Sequence, residues 1–240
     1  MSRHDGGPQR GSTMLPHLAW RVEAMIAGIA ERRQPAPGMI AQAMRKVPRH
    51  WFVPSLGLVL GDDGVAAPID RDVDPTAWWD AVYSDRPIAT PLAGGGATYT
   101  CVNPSPSSVV DLLELLDPRP GHRVLEIGTG SGWITALLCR LTGESGRVTS
   151  VEESAAVAEE AYRNLIAAGV RPHLVSGDSA RGCPERGPFD RVLAPATAPE
   201  SWIAQAAPGA VIVSGCDEEA RLVVAAGHHE PPSPRLPGHY

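Results

Sequence analysis

The sequence predicts an α/β protein with a doubly wound, Rossmann-like parallel sheet and an N-terminal helical extension. Three observations support this fold class. From residue 107 onwards, short apolar stretches alternate with amphipathic stretches of helical period. A glycine-rich segment joins the first apolar stretch to the helix after it, as in nucleotide-binding α/β proteins. The 240 residues, of which 43% are hydrophobic and 20% are charged, are enough for one sizeable core.

The region before the sheet, residues 16–106, is predicted to be helical and to contain a long loop. Apolar residues recur at helical spacing over residues 18–30, and a second helix covers residues 39–45. The second helix ends before Pro48, since the residue that precedes a proline avoids helical backbone angles. Residues 55–81 contain many glycines, prolines and aspartates, which predicts an irregular segment.

The core, residues 107–226, is predicted to hold the parallel sheet. Helices are expected at residues 109–116, 133–141 and 155–168. Strands are expected at residues 123–127, 147–151, 170–176, 189–194 and 211–214. Strand, helix and strand in repetition imply parallel pairing with right-handed crossovers. No further strand is recognisable after Gly215, and residues 1–15 and 227–240 are expected to be a flexible arm and a disordered tail.

Charge and composition argue against several classes of function. The net charge of −6 and the isoelectric point near 5.7 argue against binding of nucleic acid or of a membrane surface. Basic residues are scattered along the chain, and no stretch approaches the roughly 18 apolar residues of a membrane span. The four cysteines lie far apart without histidines at ligand spacing, so no metal site or disulfide framework is expected. We therefore expect a cytoplasmic protein, and the oligomeric state stays open.

A glycine-rich loop, Gly128-Thr129-Gly130-Ser131-Gly132, follows the first predicted strand of the sheet. Glycines permit positive φ and let a ligand lie against bare main chain, while the next helix offers its free N–H groups. Such loops bind dinucleotides as well as S-adenosylmethionine. The Gly-x-Gly-x-Gly spacing and the short chain after the last predicted strand favour a class I methyltransferase over a dinucleotide oxidoreductase.

Three acidic residues are candidates for the same cofactor site. Glu126 lies two residues before the loop, near the expected position of a cofactor ammonium group. Glu152 ends the second strand, where a carboxylate can accept two hydrogen bonds from a ribose diol. Asp178 follows the third strand and can accept from an adenine amino group. The alternative for each of them is a solvated acidic residue at the end of a strand.

Several motifs, in order, resemble the protein-L-isoaspartate O-methyltransferase family over about residues 20–215. Residues 47–54 (VPRHWFVP) look like the entry motif of that family, and residues 83–87 (YSDRP) look like the motif after it. Residues 124–133 (VLEIGTGSGW) are similar to its cofactor loop, and GD at 177–178 with PFD at 188–190 to its later motifs. The resemblance implies S-adenosylmethionine lying over the glycine loop, with Glu152 at the ribose and with Asp178 and Ser179 at the adenine.

The resemblance also implies an acceptor, namely an aspartyl or isoaspartyl carboxylate in a peptide or protein. Its methyl ester can collapse to a succinimide. The chain departs from the family pattern in carrying Pro104 where a serine is usual, in about 15–20 extra residues before Tyr83, and in lacking a recognisable closing motif. These departures look like the branch that acts on ribosomal peptide natural products, where an aspartate of a precursor peptide is methylated.

The acceptor side is the less determined part of the site. Tyr83 and Asp85 match the family pattern and are the first candidates, with Asn103 and Ser105 as neighbours of the missing serine. A carboxylate acceptor is already ionised at neutral pH and needs no general base, and no convincing Ser-His-Asp or Cys-His set is present. His50 is expected to pack or cap rather than to take part in the chemistry.

Two further questions stay open at this level. The acidic residues Asp70, Asp72 and Asp74 and the aromatic residues Trp78 and Trp79 are expected to form part of a peptide-binding wall, although the tryptophans are equally compatible with the core. Three other functions remain, namely a repair isoaspartyl methyltransferase, a small-molecule methyltransferase, and a catalytically weakened cofactor-binding partner protein.

Overall fold

The computed structural model describes residues 16–32, 38–61, 65–91, 101–194, 199–214 and 220–223. The helices are α1 (Pro16–Arg32), α2 (Gly38–Lys46), α3 (Pro75–Val82), α4 (Pro106–Leu116), α5 (Trp133–Thr142), α6 (Ala155–Ala167) and α7 (Glu200–Ile203). The strands are β1 (Leu56–Leu60), β2 (Ala66–Asp70), β3 (Ile88–Thr90), β4 (Cys101–Asn103), β5 (Arg123–Ile127), β6 (Arg147–Glu152), β7 (His173–Ser176), β8 (Phe189–Ala194), β9 (Ala206–Ser214) and β10 (Ala220–Val223). Single 3-10 turns lie at Arg49–Trp51, Ser179–Arg181 and Pro184–Arg186.

The central feature is a six-stranded sheet in the order β10-β9-β8-β5-β6-β7. Five of these strands are parallel, with Leu125 opposite both Thr149 and Val192. The chain builds outwards from β5 to β7 on one side and from β8 to β9 on the other. The predicted doubly wound α/β class is therefore confirmed, and the loop after β5 lies where the strand order reverses, the usual binding position in such sheets.

Most predicted elements of the core lie within a few residues of the observed ones, and β5 and β8 have the predicted bounds. The third strand begins at His173 rather than at residue 170, because Val170 closes the end of α6 by donating its N–H to the Leu165 carbonyl at 3.1 Å. The expectation of no strand after Gly215 was wrong, since β10 adds to the sheet edge antiparallel to β9.

The expectation of an irregular segment at residues 55–81 was also wrong. Strands β1 and β2 form an antiparallel hairpin, and β1 pairs with β3, which pairs with β4. Helix α3 follows, with the Asp74 carboxylate accepting from the Ala77 N–H at 3.0 Å. The hairpin strands are five residues long and partly exposed, so their apolar alternation is too weak to recognise.

The two tryptophans of α3 have different environments. Trp78 is fully buried and donates its indole N–H to the Pro54 carbonyl at 2.9 Å, so it belongs to the core and not to a substrate wall. Trp79 is half-buried and stacks on Tyr83, with the ring centroids 6.2 Å apart. Of the acidic run, Asp70 accepts from the Asp72 main-chain N–H at 2.8 Å, so two of its members serve local turns and caps.

Some expectations concern residues that the structure does not describe. The flexible arm at residues 1–15 and the disordered tail at 227–240 both lie outside the described residues. Among the described helices, none combines the length and the apolar character that a membrane crossing requires.

Candidate functional site

The glycine loop has the backbone geometry of a ligand cradle. Gly128, Gly130 and Gly132 have φ of 84°, 55° and 91°, values that favour glycine. A Cβ atom on Gly130 would lie 2.9 Å from the Cys101 sulfur, and one on Gly132 would lie 3.1 Å from the Leu165 Cγ. Side chains are therefore excluded at both positions, and the main chain stays bare at the start of α5. This loop fits a cofactor that lies against backbone N–H groups.

A cavity of about 590 Å³ lies between this loop and the junction of β4 with α4. The predicted residues Asn103 and Ser105 line one side of it, and Glu126 with loop residues 128–131 line the other. Its apolar walls include Leu112, Trp133, Ile134 and Leu193. The structure thus brings the cofactor loop and part of the predicted acceptor side to one partly apolar cavity.

A buried polar network supports the loop from below. One oxygen of the Glu126 carboxyl accepts from the Thr135 hydroxyl at 2.5 Å and from the Ser150 hydroxyl at 2.8 Å. Ser150 in turn shares a hydrogen bond of 2.7 Å with the Thr129 hydroxyl of the loop. Burial raises the pKa of Glu126 to about 7, although the two hydroxyl donors favour its ionised form. The loop therefore rests on an acidic group that titrates near neutrality.

Glu152, Asp178 and Ser179 lie at the carboxyl ends of the next two strands. The Glu152 carboxylate accepts from the Gly130 N–H and the Ser154 N–H, each at 3.1 Å, so it is oriented by the loop itself. Asp178 accepts from the Ala180 N–H at 2.9 Å, and the Ser179 hydroxyl donates to the Glu153 carboxylate. None of the three predicted residues lines the 590 Å³ cavity, and they lie beyond it at the ends of β6 and β7.

The four predicted acceptor residues divide between two cavities. Asn103 accepts from the Ser131 hydroxyl at 2.6 Å, and Ser105 caps α4 by accepting from the Ser108 N–H at 3.2 Å. Tyr83 and Asp85 instead line a smaller cavity of about 350 Å³ beside α1.

Both residues of the smaller cavity have defined partners. The Tyr83 hydroxyl shares a hydrogen bond of 2.6 Å with His50 Nδ1, and burial raises the pKa of Tyr83. The His50 ring lies among those of Trp51, Trp79 and Tyr83, with centroids 6.0, 5.0 and 5.9 Å away, so it packs as expected. Asp85 accepts from the Ser107 N–H at 2.8 Å, at the start of α4.

Arg49 is the residue that the sequence analysis missed. Its side chain is fully buried, and five main-chain carbonyl oxygens lie within 3.3 Å of its two terminal nitrogens; they belong to Val82, Ser84, Arg86, Asn103 and Pro104. Burial lowers the pKa of Arg49 to about 9, while the nearby Asp85 favours the charged form. Composition does not distinguish a buried arginine from an exposed one. The signal in the sequence that could have identified Arg49 is its place in the entry motif.

The fold and the glycine cradle are those of a class I methyltransferase, and the family match below identifies S-adenosylmethionine as the cofactor. Residues 64–229 match the family model described as Protein-L-isoaspartate(D-aspartate) O-methyltransferase (PCMT). The chain belongs to this family.

Relatives named protein-L-isoaspartate O-methyltransferase agree with this assignment. The Methanopyrus kandleri protein is 37% identical over 179 residues, which cover 72% of this chain and 67% of the relative. The Methanothrix thermoacetophila protein is 35% identical over 195 residues, which cover 79% of this chain and 80% of the relative. The match to the Aeropyrum pernix protein, 36% identical, covers 72% of this chain and 58% of the relative. The matches therefore span between about three fifths and four fifths of the length of these relatives.

Two solved structures show the same fold. One, named protein-L-isoaspartate O-methyltransferase, has a TM-score of 0.63 and 26% identity, covering 80% of this chain and 54% of that chain. The other is a putative protein-L-isoaspartate O-methyltransferase from Plasmodium falciparum in complex with S-adenosyl-L-homocysteine. It has a TM-score of 0.58 and 14% identity, covering 85% of this chain and 94% of that chain, and supports the fold alone.

We expect Glu126→Gln to change the pH dependence of stability between about pH 4.5 and 7. The folded-state pKa of about 7 exceeds the ordinary value of 4.5, so the stability that this group contributes is complete below pH 4.5 and is lost as the pH rises through 7. Over this window the wild type should lose on the order of 2 kcal/mol relative to the variant, as measured by urea unfolding. The exposed Glu159→Gln is the control. Parallel curves of unfolding free energy against pH for wild type and Glu126→Gln would contradict a raised pKa of Glu126 in the folded protein.

Proposed function

We propose that the protein transfers a methyl group from S-adenosylmethionine to the carboxylate of an isoaspartyl or aspartyl residue in a peptide. The product is a methyl ester that can collapse to a succinimide. One observation carries the proposal: the glycine loop and the β4–α4 junction face each other across one partly apolar cavity of about 590 Å³. Membership of the family and the names of its relatives support the same activity.

The chain's own residues account for cofactor binding. The loop at 128–132 offers main-chain N–H groups, and Glu126 lies at the cavity wall beneath it. The two oxygens of Glu152 are oriented by one N–H donor each, which leaves lone pairs for the hydroxyls of a ribose. One oxygen of Asp178 is held by Ala180, so the other can accept from an adenine amino group. When bound, S-adenosylmethionine supplies an electrophilic methyl group.

The acceptor needs orientation more than activation. A carboxylate with a pKa near 3.9 is ionised at neutral pH and attacks without a general base. Ser105 and Ser108 line the cavity, and their hydroxyls lie 2.8 Å apart, so they can donate to one acceptor carboxylate. The apolar walls exclude water, and charge on the carboxylate disappears as the new C–O bond forms, so a dry site favours the reaction.

Tyr83 and Asp85 have a different role in this proposal. They line the smaller cavity with Arg86, and the next residue, Pro87, lines the larger one. A peptide whose reacting residue enters the larger cavity can therefore place its flanking residues in the smaller cavity. Asp85 and Tyr83 then position the peptide and do not touch the reacting carboxylate.

The finer proposal is that the substrate is an aspartate of a modified-peptide precursor. Two features favour it over general repair of isoaspartate. Pro104 stands at the cavity wall where the family usually has a serine, and the additional segment is an ordered hairpin and helix. This segment is held by the buried Trp78, and the half-buried Trp79 beside Tyr83 remains available as a wall for the peptide. Repair of damaged proteins is the second candidate, supported by the names of the relatives.

We expect Asp178→Asn to weaken cofactor binding while keeping the local turn. The asparagine oxygen can still accept from Ala180, but its amide group presents a donor where the adenine amino group needs an acceptor. Loss of this hydrogen bond should cost about 1–3 kcal/mol, roughly 5- to 150-fold in affinity by calorimetry. Asp72→Asn, in an exposed turn, is the matched control. Equal affinities for all three proteins would place the adenine elsewhere.

We expect labelled S-adenosylmethionine to give a base-labile ester on peptides that contain isoaspartate or a precursor aspartate. Paired peptides that differ only in aspartate against isoaspartate separate the two candidates, since a repair enzyme labels the isoaspartyl member alone. Gly130→Val is the control, because its side chain would meet the Cys101 sulfur and block the cradle. A label that resists mild alkali would identify methylation at nitrogen or at a hydroxyl and would exclude carboxyl transfer.

A further inference from the structure

A second groove of the molecule lies at the opposite end of the parallel strands. It has a volume of about 1080 Å³ and is formed where β5, β6, β7 and β8 begin. Six exposed cationic side chains surround it: Lys46, Arg123, Arg140, Arg147, Arg171 and Arg186. Basic residues that are scattered along the sequence therefore converge here in the folded chain. This surface is called the cationic groove below.

The positive charge of the cationic groove is not neutralised by neighbouring carboxylates. Within the described ranges, none of its six cations has a carboxylate oxygen within 4.0 Å, whereas arginines elsewhere, such as Arg119 and Arg163, form ion pairs. Arg186 instead contacts the ring of His173 at 3.2 Å. The pKa of His173 is lowered by burial and then by Arg186, as expected beside uncompensated positive charge.

Compensation of helix dipoles does not account for this charge. Helices α5 and α6 end near the groove, and each helix C-terminus carries about half a negative charge. Arg140 compensates the C-terminus of α6 by donating to the Ala168 carbonyl at 3.0 Å. The six cations face two carboxylates, Glu144 and Glu185, so the formal excess is four positive charges. Two helix ends offset about one of these.

We infer that the cationic groove binds an acidic segment of a polypeptide, rich in aspartate and glutamate. Five of the six cations are arginines, whose planar forks match carboxylates with two parallel hydrogen bonds. Three glycines, Gly143, Gly146 and Gly169, expose main chain in the lining for contact with a peptide backbone.

The same surface is poorly suited to nucleic acid. Among the described lining residues the aromatic rings are the buried Phe189 and the half-buried His173, which gives few platforms for stacking on bases. The net charge of −6 of the whole chain also disfavours a long polyanion that extends beyond the groove. Strand β5 runs from the cationic groove to the cavity of about 590 Å³ beside the glycine loop. Since β5 spans five residues at about 3.3 Å each, the two lie roughly 16 Å apart. The site goes beyond the proposed function and does not depend on it.

Fluorescence anisotropy with a labelled peptide of alternating Glu and Ser tests the inference on the whole chain. The wild type should bind this peptide saturably, with an affinity that falls as salt is added. The double variant Arg147→Gln with Arg171→Gln should bind roughly ten-fold more weakly, since each substitution removes one charge contact. Arg119→Gln with Arg163→Gln changes net charge equally outside the groove and should leave binding within about two-fold of wild type. Glu144→Gln should strengthen binding.

Three results would overturn the inference. They are the absence of saturable binding at low salt, an equal loss in the two double variants, and tighter binding of a single-stranded oligonucleotide of the same charge. The second would show a response to net charge alone, and the third would show a nucleic-acid groove. An unchanged affinity of the groove variant for S-adenosylmethionine supports a site separate from the cofactor cradle. Because the experiment measures peptide binding, its result does not depend on whether the protein methylates aspartate.

Discussion

The arrangement of the site depends on one buried cation. The Arg49 guanidinium is fully enclosed, stands 5.4 Å from the Trp133 ring, and binds main-chain carbonyls from the end of α3, from residues 84–86 and from the β4–α4 junction. Burying an arginine costs several kcal/mol of solvation, and among the described residues its Nε atom has no hydrogen-bond partner. The carbonyl oxygens offset this cost, and a pKa of about 9 keeps the side chain charged at neutral pH. A single residue thereby joins two segments, residues 82–86 and 103–104, that are distant in sequence from it and from each other.

This cation also connects the acceptor side to the cofactor loop. It binds the carbonyl of Asn103, whose side chain accepts from Ser131 in the loop, and the Trp133 indole donates to the Val47 carbonyl at 3.1 Å. The N-terminal region therefore contacts the sheet domain through Ser131 and Trp133, at the end of the glycine loop and the start of α5. The cavity between loop and junction has a defined width because both of its walls share these contacts. Orientation of two reactants is what a base-free methyl transfer requires from the protein.

The parts that the sequence predicts are those encoded locally. Strands such as β5 are short apolar runs between turn residues, and the glycines at 128–132 signal a loop by composition. The hairpin of β1 and β2 was not predicted, because its strands are short and half-exposed. The burial of Trp78 was not predicted either, because the sequence does not indicate which element packs on it. The Arg49 hub and the cationic groove arise from convergence of distant residues, which periodicity within one segment cannot report. Ser105 and Asn103 were placed near the acceptor by resemblance, and their shared cavity needed the fold.

Hydrogen exchange of native Arg49→Lys and Arg49→Met compared with wild type tests the role of this cation most directly. Lysine keeps the charge but presents three donors from one atom, and methionine keeps the volume and removes all donors. The account predicts faster amide exchange at residues 82–86 and 103–107 together, in both variants, while β5 and β8 keep their protection. Arg45→Met, which removes an exposed ion pair with Glu23, should leave both segments unchanged. Unaltered protection of the two segments in Arg49→Met would contradict the claim that Arg49 holds the site together.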